Sequence, residues 1–131
     1  FKAPEITTDK IETRRAVLSD SLPFPENSFE VVTMLAVLEH LDNPAEVVKE
    51  ALRVLAPGGI FAGTVPSKAA KPVLEFLSYR LGIVNPGEIR DHKCYYDRAL
   101  LVRILTDAGF CHVQHRYFQC GMNNFFVALR A

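Results

Sequence analysis

The hydrophobic positions of this chain change period from one block to the next, and the changes mark its elements. From Val31 to Leu38 the run is apolar apart from Thr33. Such a run predicts a strand covered on both faces, and hence a parallel sheet flanked by helices. Val48, Ala51, Leu52 and Leu55 then recur at helical spacing, leaving Glu46, Lys49, Glu50 and Arg53 for water. Asn43 as N-cap, Pro44 at the first helical position and Glu46 completing a capping box predict where this helix begins. Pro57 limits it to 44–56, and Gly58-Gly59 reverse the chain into a second strand over 60–65. The stretch reads as one βαβ unit.

The rest is less regular at first and then regular again. Residues 1–15 are mixed and polar without a clear period, and Ala16 to Leu18 form a short apolar run. Pro72, Val73, Leu74, Phe76, Leu77 and Leu81 predict a helix ending at Gly82, and Asn85-Pro86-Gly87 a turn. Asp97 caps a last helix whose buried stripe is Leu101, Ile104, Leu105 and Ala108, with Tyr96 and Leu101 as a hydrophobic staple. Gly109 and Phe110 close it in Schellman fashion. Cys111, Val113, His115 and Tyr117 then alternate onto one face, Gly121 to Asn124 turn, and 125–129 return, predicting an antiparallel pair.

Three of these stretches carry a resemblance. LPFPENSFEVV at 22–32, LAVLEHL at 35–41 and LRVLAPGG at 52–59, in this order and spacing, resemble the second half of a small "type 11" class I S-adenosylmethionine-dependent methyltransferase. A looser likeness runs through HKCYYDRALLVRILTDAGF at 92–110. The resemblance implies an α/β, Rossmann-like sheet of strand order 3-2-1-4-5-7-6, of which strands 4, 5, 7 and 6 fall in this chain. The glycine-rich cofactor turn of such enzymes has no counterpart among the seven glycines. The chain is therefore expected to be a partial, C-terminal portion of such a domain: 1–21 a remnant of the strand 3 region, 22–66 the core unit, 67–96 an acceptor-side lid, and 97–131 the helix and strand pair. On its own it is expected to bind S-adenosylmethionine weakly and to be inactive.

By the same resemblance, Asp20 accepts a hydrogen bond from the cofactor's adenine amino group, with Ser21 and Leu22 beside the ring. The alternative for Asp20 is a turn cap. Open α/β sheets place ligands at the carboxyl ends of their strands, so Leu35, Ala36 and Val37 are expected near the methionine portion and His40 nearer the acceptor. Histidine is the side chain whose unperturbed pKa lies near neutrality, so His40 is the candidate general base, against the alternative that it packs at a strand-to-helix corner. Phe76, Tyr79, His92, Tyr95 and Tyr96 are the candidates for acceptor contact, against the alternative that these rings pack the lid to its own body.

Composition narrows the partners. Lysine plus arginine equals aspartate plus glutamate at 15 each, so no net field recommends nucleic acid or an anionic membrane surface. No apolar run reaches membrane-span length, and the three cysteines lack a CxxC pair, which fits a cytoplasmic, reducing setting. No metal site is expected: His92 with Cys94 falls short of four ligands, and His112 and His115 point to opposite faces of a strand. A small-molecule acceptor is the expected partner. The apolar 31–38 strand, an edge without strands 1 and 2, is expected to self-associate, to pair with a missing N-terminal half or to be covered by 1–21. The competing function is a non-catalytic interaction or dimerisation module.

Overall fold

The computed structural model describes residues 21–73 and 94–131. Its elements in chain order are β1 (Phe29–Leu35), a 3-10 turn (Leu38–His40), α1 (Pro44–Val54), β2 (Leu55–Pro66), α2 (Arg98–Ala108), β3 (Phe110–Phe118) and β4 (Asn123–Arg130). The four strands form one sheet in the order β1-β2-β4-β3. β1 runs parallel to β2, whereas β4 is antiparallel to both β2 and β3. Among the described residues no helix is long and apolar enough to cross a membrane.

β1 departs from the sequence reading at its end and on one face. It stops at Leu35, not 38, because Ala36 takes a left-handed φ of 54° that breaks the extended run. The chain then winds into the 3-10 turn, closed by His40 N–H to the Val37 carbonyl at 3.1 Å. Val32 and Met34 face the core, but Val31 is 53% and Leu35 64% exposed. Continuous apolarity was read as two covered faces. Among the described residues only one is covered.

α1 starts at Pro44 as its N1 proline predicts, without the capping box. Asn43 makes no side-chain cap bond, and Glu46 instead accepts from Lys49 at 2.8 Å. Val47, Val48, Ala51 and Val54 form the buried stripe. The helix ends at Val54 and passes directly into β2, earlier than the expected residue 56. Arg130 of β4 reaches back so that its Nη1 donates to the carbonyls of Leu52 (2.9 Å), Arg53 (3.1 Å) and Leu55. A cation there satisfies acceptors that a helix C-terminus leaves unpaired. The Pro57-Gly58-Gly59 segment is an irregularity within β2, where pairing steps from Phe29↔Leu55 to Val31↔Ile60.

The core lies between the sheet and the two helices. Phe61 stacks on Phe110 at 5.3 Å and meets Phe126 edge-on at 5.1 Å, with Leu101, Leu105 and Val48 buried around them. Each such side chain contributes about 1.5–3 kcal/mol on burial. Gly63 makes this closure fit. A Cβ there would lie 2.5 Å from the Met34 carbonyl oxygen and 2.6 Å from the Phe126 ring. α2 follows the sequence closely: Asp97 Oδ1 accepts from Leu100 N–H at 2.8 Å, and Gly109 ends the helix at a φ of 108°, which favours glycine. The predicted antiparallel pair is present, somewhat longer than expected, as β3 and β4.

Candidate functional site

At the carboxyl ends of β1 and β2 a cavity of about 300 Å³ opens among Ala36, Glu39, Pro66, Ala70, Gln119 and Asn123. Three elements meet there: the bend after β1, the end of β2 and the β3–β4 turn. The floor is tied together by backbone and side-chain bonds. Ser67 N–H donates to the Met122 carbonyl at 2.8 Å, and Ser67 Oγ donates to the Gly121 carbonyl at 2.6 Å. Tyr96 N–H donates to the Pro66 carbonyl at 3.2 Å, and its hydroxyl donates to Leu38 O at 3.1 Å. Asn124, wholly buried, donates from Nδ2 to Val65 O (3.3 Å) and Tyr96 O (3.1 Å). Its Oδ1 lies 2.7 Å from His115 Nε2, which assigns the proton to that nitrogen.

These contacts decide what several side chains can do. Burial pushes the Tyr96 phenol far up from its ordinary value, with charge on Cys94 and Glu39 acting in the same direction. Tyr96 therefore acts as a hydrogen-bond donor that fixes the turn beneath the cavity. It was expected to touch an acceptor. Its full burial and its bond to Leu38 place it in the core instead.

The carboxyl end of β1 presents the predicted trio in three ways: Leu35 exposed, Ala36 lining the cavity and Val37 half-buried at the start of the 3-10 turn. Ala36 N–H is held by Thr64, 3.0 Å from its carbonyl and 3.2 Å from its hydroxyl oxygen. Ser21 and Leu22 are not gathered with that trio. Leu22 N–H donates to Glu50 Oε2 at 2.8 Å, and its carbonyl accepts from Arg53 at 3.1 Å, both partners in the last half of α1. The Arg53 guanidinium, with help from the Leu22 N–H, holds the Glu50 carboxyl below the usual range. With Phe24, Phe29, Val31, Val32 and Val54, Leu22 lines a separate cleft of about 200 Å³ beside the start of β1. Tyr95 is half-buried, and Asp20, Phe76, Tyr79 and His92 lie outside the described residues.

His40, the candidate general base, and its neighbour Glu39 stand differently toward the cavity. The His40 side chain is 42% exposed and does not line the cavity. Glu39 does line it, is 1% exposed, and has an Oε2 with no hydrogen-bond partner. His40 Nε2 lies 3.9 Å from Glu39 Oε1, beyond hydrogen-bonding range. The signal for Glu39 was present in LAVLEHL, where it is the one acidic residue in an apolar run.

Comparison with known proteins bears on this arrangement. A family model described as a methyltransferase domain matches residues 2–63. A probable S-adenosylmethionine-dependent methyltransferase of Mycolicibacterium smegmatis is 34% identical over 101 residues, spanning 77% of this chain and 35% of the relative. The chain belongs to the class I S-adenosylmethionine-dependent methyltransferases. A ubiquinone/menaquinone biosynthesis C-methyltransferase of Neisseria meningitidis is 28% identical, across 79% of this chain and 48% of its own length. The chain thus spans half or less of both relatives. A Thermotoga maritima methyltransferase structure, titled as a possible histamine N-methyltransferase, superposes with a TM-score of 0.64 at 16% identity, covering 86% of this chain and 60% of that one. At that identity the likeness speaks for the fold. In this methyltransferase chain, β1-β2-β4-β3 is the 4-5-7-6 portion of the family's sheet, and S-adenosylmethionine is the family's cofactor.

Proposed function

We propose that the chain supplies the acceptor side of a methyltransferase that moves the methyl group of S-adenosylmethionine to a small molecule. The observation that carries this reading is the shared position of Ala36 and Glu39 on a cavity at the carboxyl end of a parallel strand, where open α/β sheets take their ligands. Leu35 fits the cofactor's methionine portion, because 64% exposure of a leucine at that strand end leaves an apolar ledge for a ligand to cover. Leu35, Ala36 and Val37 would hold that portion, with Asp20, Ser21 and Leu22 toward the adenine. The cofactor supplies a methyl group activated on a sulfonium. The protein's part is alignment and exclusion of water.

The Neisseria relative's name favours a quinol as acceptor, methylated at ring carbon. The test measures calorimetric binding of S-adenosylmethionine by the full-length protein that carries these residues, then transfer of labelled methyl to a soluble 1,4-naphthoquinol with a free ring position. Micromolar cofactor affinity with a C-methylated product supports the reading. An absence of cofactor binding defeats it.

A second reading rests on a different observation. Val31 and Leu35 expose apolar side chains on the edge strand β1, and Ile60 does so on its inner neighbour β2, as an interaction module that self-associates there would.

A further inference from the structure

Glu39 is the feature that neither packing nor the proposed cofactor contacts explain. Its residue is 1% exposed, it follows the buried Leu38, and its Oε2 has no partner. A buried carboxylate oxygen without a donor is costly, whereas the other polar groups beneath the cavity are satisfied. Asn124, Ser67 and Tyr96 all have bonds. Among the described residues the titratable groups facing Glu39 are His40, at 3.9 Å, and the Tyr96 phenol, whose proton is already committed to Leu38 O. Neither donates to Oε2. The cavity above it is otherwise lined by small and apolar residues and by the Gln119–Asn123 amide pair, which is joined to itself through Asn123 Nδ2 and Gln119 Oε1 at 2.5 Å.

We infer that Glu39 is the acceptor-binding carboxylate of this cavity, taking a hydrogen bond and then the proton from the O–H of a phenolic or enolic acceptor. This rests on the methyltransferase reading and adds the acceptor's chemistry to it. In the step, the acceptor's O–H bond breaks, Glu39 gains the proton, and the electron pair stays with the acceptor, delocalised onto the ring carbon; that carbon takes the methyl as the methyl–sulfonium bond breaks, its electron pair staying on sulfur as a neutral thioether leaves. When the ring C–H proton leaves to solvent, the proton on Glu39 returns to the oxygen. The carboxylate ends the turnover as it began, and His40 is not needed as the base. A hydrogen bond from the acceptor also supplies the donor that Oε2 lacks.

The experiment compares the full-length protein that carries these residues with its Glu39→Gln and Glu39→Asp variants, using S-adenosylmethionine and the soluble 1,4-naphthoquinol as probes. Glu39→Gln is expected to keep its cofactor affinity within about twofold, bind the naphthoquinol at least tenfold more weakly, and turn over about 100-fold or more slowly. The acid limb of the wild-type pH–rate profile disappears in Glu39→Gln and survives in Glu39→Asp. The melting temperature of Glu39→Gln stays level or rises, because a buried charge without a donor has been removed. If its naphthoquinol binding and acid limb match wild type, the inference is overturned. It is equally overturned if the melting temperature falls and the lost turnover merely tracks the unfolded fraction. A wild type that binds the cofactor but not the naphthoquinol defeats the acceptor chemistry named here and leaves the methyltransferase reading standing. A wild type that binds neither defeats both.

Discussion

The two sides of the sheet are finished to different degrees. On the β2-β4-β3 side, long ladders, the Phe61–Phe110–Phe126 cluster and the Asn124 bonds leave no buried side-chain polar atom unpaired among the described residues. At the end of β1, Glu39 keeps an orphaned oxygen a few residues after Ala36, whose φ is left-handed. The one unsatisfied buried group among the described residues lies on the cavity of the proposed site, and the satisfied side is the platform that holds that end still.

The contrast can be broken most strongly from the platform. Phe126→Ala is expected to lower unfolding free energy by about 3–5 kcal/mol in urea titrations, since it removes a ring packed on Phe61 and over Gly63. Asn124→Ala is expected to cost about 2–3 kcal/mol, because it removes the buried side-chain bonds to the Val65 carbonyl and to His115 and leaves the Tyr96 carbonyl with the Lys68 N–H alone. It is also expected to loosen the turn below the cavity, which hydrogen exchange at 119–123 will read.

On the open side the expected effects concern association more than stability. If the second functional reading holds, Val31→Lys converts a self-associating species to monomer in light scattering at micromolar concentration, with the melting temperature nearly unchanged. The smallest effect is at Asp97. Its carboxyl is held below the ordinary value of 3.8 by Lys68, at 2.5 Å, and by the Leu100 N–H. A lowered folded value means the contribution is fully present above the unfolded value and is lost as pH falls through the folded one. Asp97→Asn should therefore melt slightly below wild type at about pH 6, and the two curves should converge under strongly acidic conditions.

What the sequence revealed follows from how local each cause is. The Asp97 cap and the Gly109 stop are set by residues a few positions apart, and both are present in the structure, whereas the expected alternation along β3 is interrupted by a bulge between Cys111 and Gln114, where His112 takes a left-handed φ of 49°. The end of β1 was misplaced because an alanine, not a glycine, takes the left-handed φ, and nothing in the apolar run announces it. The expected capping box lost Glu46 to Lys49 one turn on. Tyr96 was taken for a contact residue because its partner, Leu38, lies 58 positions away. For the same reason attention fell on His40, the more familiar base, and passed over its buried neighbour Glu39.

The strand order has a consequence during synthesis. β3 leaves the ribosome before β4, yet its described sheet partner is β4, which must slot between it and β2. Tyr117 and Phe118 are thus made before the neighbour they pair beside, and Arg130 caps α1 only after some 75 further residues have emerged. A nascent chain paused near residue 122 carries a lone β ribbon and an uncapped helix, a species that holding chaperones are suited to bind.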